Sequence, residues 1–141
     1  MGESVRVFVG SSQWSYVEET VLAHSLTTCS SRQLDIRVID GAAHVLRRAG
    51  QRHGEALPDA WRGRIEGKTP FTFARFAPPA LCGHNGRSIY LESDQLALAD
   101  IGDLWDLDLD GHALAAVRWE STRRRFPFQA GGFLSSVVLF D

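Results

Sequence analysis

"IYLESDQLALADIGDLWDL", residues Ile89 to Leu107, decides how this chain is read. A run with strand character ends in Glu92-Ser93-Asp94, and a second acidic cluster follows at once. Like charges set so close repel one another unless something positive lies between them. The identity of that positive partner is the question the sequence raises.

Upstream, "VRVFVG", Val5 to Gly10, alternates and then stops at a glycine, the pattern of a short buried strand. In "SSQWSYVEETVLAHSLTTCSS", Ser15 with Glu18 three residues later matches a capping box. Val17, Val21, Leu22, Ser25, Leu26 and Cys29 fall on one helical face. "LDIRVID", Leu34 to Asp40, alternates as a second strand. Strand, helix and strand within this span make a βαβ unit with parallel strands. From Gly41 to Lys68 the pattern weakens; a short helix around Ala42 to Ala49 is expected and the rest reads as loop.

"TPFTFARFAPPALCG" predicts a helix capped by Thr69, with Pro70 at its first position and a kink or break at Pro78 and Pro79. "RSIYLE" is a third strand, and "DIGDLWD" a short helical turn capped by Asp100 with Trp105 in the core. "HALAAVRWE" and "GGFLSSVVLFD" supply a fourth and a fifth strand. The sum is an α/β sandwich around a mostly parallel sheet, residues 1–141 forming a single domain.

Bulk properties narrow the function. The net charge of −2 provides no field that would draw the chain to nucleic acid. No apolar run approaches the ~20 residues of a membrane span. The N-terminus lacks the basic and apolar regions of a secretory signal, so a cytoplasmic protein is the default expectation. Cys29 and Cys82 lie far apart and fit neither a disulfide framework nor a zinc motif; both read as reduced, buried, small residues. Homo-oligomer formation is left open.

"FVGSSQW" carries one glycine after the first strand, so the dinucleotide fingerprint is absent, and there is no P-loop. The acidic turn remains. Carboxylates separated by one residue can share a hard divalent cation through oxygen ligands, although the same pattern also describes a solvated turn. Arg123 to Arg125 offer phosphate contacts or a solvated loop.

The wider stretch "FTFARFAPPALCGHNGRSIYLESDQLALADIGDLWDLDL" resembles glycosyltransferase family eight and its close relatives. The likeness takes in the Arg75 segment, Leu81-Cys82-Gly83, the strand into Glu92-Ser93-Asp94, and the Asp100-Ile101 to Leu104-Trp105 turn. "GGFLSSVVLFD" is similar to a late strand of that family. The resemblance implies a Rossmann-like nucleotide-diphospho-sugar transferase fold (GT-A). It implies transfer of a sugar from a nucleotide-diphospho-sugar donor to an unknown acceptor, with retention of configuration. Glu92 and Asp94 would hold Mn²⁺ or Mg²⁺, the positive partner, against the donor diphosphate. Gly10, Ser11, Ser12, Arg75, Ser93, Ser135 and Ser136 would contact the nucleotide sugar; no catalytic residue is assigned.

Two departures accompany the likeness. Glu92 stands where the family has Asp, and no "H-x-x-G-x-x-K-P-W" stretch supplies the family's metal-binding His. The chain is therefore expected to be the donor-binding front of such an enzyme, incomplete at its C-terminus. The alternative is a degenerate, non-catalytic nucleotide-sugar-binding module.

Overall fold

The computed structural model describes residues 3–61, 63–65, 67–118 and 132–141. Its strands are β1 (Val5–Ser11), β2 (Leu34–Asp40), β3 (Val45–Arg48), β4 (Glu55–Ala56), β5 (Ser88–Glu92), β6 (Leu114–Arg118) and β7 (Phe133–Phe140). They join in one sheet of order β4-β3-β2-β1-β5-β7-β6. The helices are α1 (Tyr16–Cys29), α2 (Pro78–Leu81) and α3 (Ile101–Trp105).

The central trio β2-β1-β5 is parallel, as the βαβ reading requires. The expectation of a mostly parallel sheet holds only there, because the four flanking pairings are antiparallel. These outer strands arrive by hairpins or return from the far side, which parallel crossovers cannot do in so few residues.

Strand alternation divides the core between the two faces of the sheet. Val5, Val7 and Val9 of β1 pack with Leu22 and Leu26 of α1 and with Trp105. Phe8 and Tyr90 face the other way, onto Ala74, Ala77 and Ile65. Trp105 is core and Asp100 caps α3, its carboxylate accepting from Gly102 N at 2.8 Å, both as expected. No helix of the described residues is long and apolar enough to cross a membrane.

Several local expectations need correction. Ser15 makes no side-chain cap, because it ends a 3-10 turn, Gln13–Ser15, at φ −109° and ψ 24°, away from the extended conformation of a capping residue. The inward face of α1 is also rotated from the one the sequence suggests. Val17 and Val21 are exposed, whereas Glu19 is buried with Leu22, Ser25 and Leu26. The cause is Arg47 on β3, which clamps Glu19 through two bonds of 2.6 and 2.7 Å, with Asp40 of β2 at 3.7 Å from the same guanidinium.

The helix expected over Ala42 to Ala49 is instead a turn followed by β3, held to β2 from Arg37↔Arg48 to Asp40↔Val45. Gly41, just before that turn, lets the Pro70 backbone approach closely, since a Cβ there would lie 1.9 Å from Pro70 O. The helix expected from Thr69 is a turn and a 3-10 segment, Ala74–Phe76. Pro78 and Pro79 do not break a helix but begin α2, where a missing N–H is harmless. Cys29 and Cys82 are free, as expected, but partly exposed rather than buried. Trp119, Glu120 and Gly131 of the expected fourth and fifth strands, and the Arg123 to Arg125 run, lie outside the described residues.

Candidate donor-binding cleft

Two adjacent parallel strands end on the same edge, so β1 and β5 deliver their last residues together. Gly10 and Glu92 are register partners, and Ser93 N donates to Gly10 O at 3.2 Å. Gly10 has a local reason to be glycine. Tyr90 lies beneath it, and a Cβ at position 10 would approach the phenol oxygen to 2.0 Å. That oxygen is buried with no hydrogen-bond partner among the described residues. Burial pushes the phenol pKa up, with Glu92 and Asp94 adding to the shift and Arg75 opposing it.

Above this edge lies a cleft of about 340 Å³, lined by Ser15, Glu18, Lys68, Arg75, Glu92 and Asp94 among others. Arg75 crosses it from the 3-10 segment. Its Nη2 donates to Glu92 Oε1 at 2.5 Å, Nε to Thr72 O at 2.8 Å, and Nη1 to Ser135 Oγ. Ser135 reaches the guanidinium through an irregularity. Ala116 pairs with Val138 but Val117 pairs with Leu134, so Ser135, Ser136 and Val137 of β7 face no residue of β6. A bulge of this kind re-aims a strand side chain.

The site residues named from sequence thus separate. Arg75, Glu92, Ser93 and Asp94 line one cleft, and Ser135 joins them through Arg75. Ser11 and Ser12 stand at the same edge but are 0% and 2% exposed, with the Ser11 hydroxyl turned to Ser12 O at 3.4 Å. Ser136 lines neither this cleft nor the apolar groove beside it. Ser15, Glu18 and Lys68 escaped the sequence reading because their approach to Glu92 is purely tertiary. A second cavity, about 370 Å³, opens between Gln13, Tyr16, Asp40 and Arg52, where the Arg52 guanidinium sits 5.5 Å from the Tyr16 ring centre.

The donor set for a cation can be tested directly. Among the described residues, no three His, Cys, Asp or Glu side chains gather to hold a metal ion. Glu92 has one oxygen committed to Arg75, whereas the exposed Asp94 has only a long 3.4 Å contact from Gln95. Two carboxylates do not cage a cation by themselves. They suit an Mg²⁺-like ion that keeps waters and is bound through one or two carboxylates plus substrate phosphates. The residues fit a cation that arrives with a diphosphate.

The fold is a nucleotide-diphospho-sugar transferase (GT-A) sandwich, and solved structures of glycosyltransferases share it. The LgtC galactosyltransferase, in complex with donor and acceptor sugar analogs, matches at TM-score 0.69 and 20% identity, over 96% of this chain and 57% of that one. The bifunctional glycosyltransferase WbbM matches at 0.68 and 15% identity, over 99% of this chain and 32% of that one. GlyE of Streptococcus pneumoniae TIGR4, in its apo form, matches at 0.59 and 24% identity, over 98% of this chain and 34% of that one. In sequence, the chain is 34% identical over 117 residues to Protein CDI of Arabidopsis thaliana, covering 83% of this chain and 42% of that protein. It therefore spans less than half of that relative's length. No family model matches the chain.

Proposed function

We propose that the cleft at the carboxyl edge binds the diphosphate of a nucleotide-diphospho-sugar, and that the chain transfers the sugar to an acceptor hydroxyl with retention of configuration. One observation carries this reading: Arg75 spans the cleft between Glu92 and Ser135, with Asp94 alongside. A guanidinium suits phosphate oxygens, and it can exchange its bond to Glu92 for bonds to an entering diphosphate. Glu92 and Asp94 would then hold Mn²⁺ or Mg²⁺ against that diphosphate, where the ion offsets charge on the leaving group as a Lewis acid. Lys68 adds positive charge on the cleft wall. Gly10, Ser11 and Ser12 would meet the nucleoside through backbone, since Ser11 and Ser12 are buried and the Ser11 hydroxyl is turned to Ser12 O. Ser93 and Ser135 line the approach to the donor sugar, whereas Ser136, which lines neither cavity, is given no role.

The two-carboxylate donor set also favours a second reading, a nucleotide-sugar-binding module without turnover. Calorimetric titration of UDP and GDP, with Mn²⁺ and with chelator, tests the binding. Affinity should rise at least roughly tenfold with the metal, because without it carboxylates face a diphosphate of like charge. Identical binding in both conditions removes the metal from the reading, and no binding at all removes the donor cleft. Hydrolysis of a panel of nucleotide sugars separates an enzyme from a binding module.

A further inference from the structure

An apolar groove of about 530 Å³ runs along β6 and β7 on the sheet face that carries Arg75. Leu114, Ala116, Val138 and Phe140 form its floor, and Phe76 and Phe133 its sides. Phe76 is 59% exposed, Phe133 71% and Leu114 51%. Scattered exposed apolar residues are ordinary, but a contiguous patch in a concave surface marks a binding site. The groove adjoins the donor cleft at Arg75, which lines both, and its bonded partner Ser135 lines the groove.

We propose that this groove receives the hydrophobic aglycone of a glycoside acceptor, whose sugar end lies beside Arg75 and Ser135. The proposal rests on the donor-cleft reading and names the acceptor class for it. Polar groups occur in the groove at the Arg75–Ser135 end and at His112. A wholly polar acceptor laid along it would desolvate hydroxyls against Leu114, Ala116, Val138 and Phe140 without partners, which is unfavourable. An amphipathic acceptor meets both halves: hydroxyls at the guanidinium and serine, and an alkyl or aryl tail on the apolar floor. Glu92 and Asp94 do not line the groove, so an acceptor bound in it does not compete for the acidic turn.

The test uses octyl β-D-glucopyranoside, below its micelle-forming concentration, against methyl β-D-glucopyranoside. Each is titrated into the whole chain saturated with UDP or GDP and Mn²⁺, and followed by NMR shifts. The octyl glycoside should bind roughly tenfold or more tightly, because each buried methylene adds to transfer from water. The double variant Leu114→Glu, Phe133→Ser should lose that preference while keeping its circular dichroism, both side chains being exposed. Equal affinity for the two glycosides, or a preference that survives in the variant, overturns the proposal. Sedimentation showing concentration-dependent dimers that the variant abolishes overturns it too, by assigning the face to a second copy. Failure of the nucleotide itself to bind is read separately, in the absence of glycoside, and removes the donor cleft and with it the acceptor assignment.

Discussion

Arg75 Nη2 lies 2.5 Å from Glu92 Oε1, and the same guanidinium also holds Thr72 O and Ser135 Oγ. One side chain therefore joins the 3-10 segment, β5 and β7 across a single cleft. The positive partner that the acidic turn demands is already present in the chain. On the proposed reading, a cation would be called for only when phosphate brings further negative charge.

Replacing Arg75 with Ala should weaken binding of a nucleoside diphosphate by roughly 1.5–3 kcal/mol, the range for a hydrogen bond to a charged group. Arg75→Lys should recover only part of this, because an ammonium cannot bridge two partners in a plane. Calorimetry that shows unchanged affinity in Arg75→Ala would reassign the residue to an internal clamp on Glu92 and Ser135.

Asp94 is the carboxylate left outside that clamp. Asp94→Ala should abolish the dependence of diphosphate binding on Mn²⁺, because Glu92 alone, one oxygen held by Arg75, makes a poor site for a hard ion. Glu92→Asp should retain the dependence. Titrations in metal and in chelator check both variants, and a metal effect persisting in Asp94→Ala contradicts the assignment.

Glu19 and Arg47 form a buried pair, their side chains 1% and 4% exposed. Glu19→Ala leaves the guanidinium with the Gln51 carbonyl at 3.1 Å and a more distant carboxylate, Asp40, and should cost about 3–5 kcal/mol of stability. Urea unfolding measures it. A loss no larger than that of an exposed pair, under about 1 kcal/mol, would show that the pair is open to water.

Tyr90 presents the opposite case, a buried hydroxyl without a partner among the described residues. Tyr90→Phe should leave stability unchanged or raise it, since it removes an unpaired polar group. Gly10→Ala should cost about 1–3 kcal/mol through overpacking against the phenol. In the double variant the cost should shrink, because the nearest atom has gone; strict additivity in thermal unfolding would refute the contact.

Asp100 accepts from Ser31 N as well as Gly102 N, and these bonds, with that of the Ser31 side chain foremost, lower its pKa to about 2. A folded pKa below the unfolded one, about 3.9, favours the folded state above the unfolded value. That contribution disappears as pH falls from about 4 towards about 2. Thermal midpoints of Asp100→Asn should therefore fall less steeply than wild type across this window, and parallel curves would contradict the cap's charge dependence.

How much of this the sequence discloses depends on where each cause resides. The βαβ start, β5 and the Asp100 cap are legible because apolar alternation and a cap residue are local signals. The placement of Gly10 and Glu92 at one edge follows from parallel pairing. β3 falls where the sequence suggests a helix over Ala42 to Ala49, because the burial of Arg47 against a carboxylate from another element has no local signature. The same pair turned α1, which apolar periodicity alone sets with Val17 and Val21 inward. Ser135 was named from resemblance, but the irregular pairing that brings it to Arg75 has no local signature.

The order β2-β1-β5 sets adjacent strands from the two halves of the chain side by side. Joining Gly10 to Glu92 closes a loop of roughly eighty residues, a contact whose entropy is lost before packing returns anything. The hairpin β2-β3 and the α1 crossover involve much shorter separations, so the N-terminal half can gather first. Ser15 and Glu18 then wait on one half of the protein for Arg75, Glu92 and Asp94 on the other. The cleft does not exist in a half-folded chain. In a refolding experiment, recovery of diphosphate binding should trail recovery of helical signal, which makes the ligand a clock for the last step of assembly.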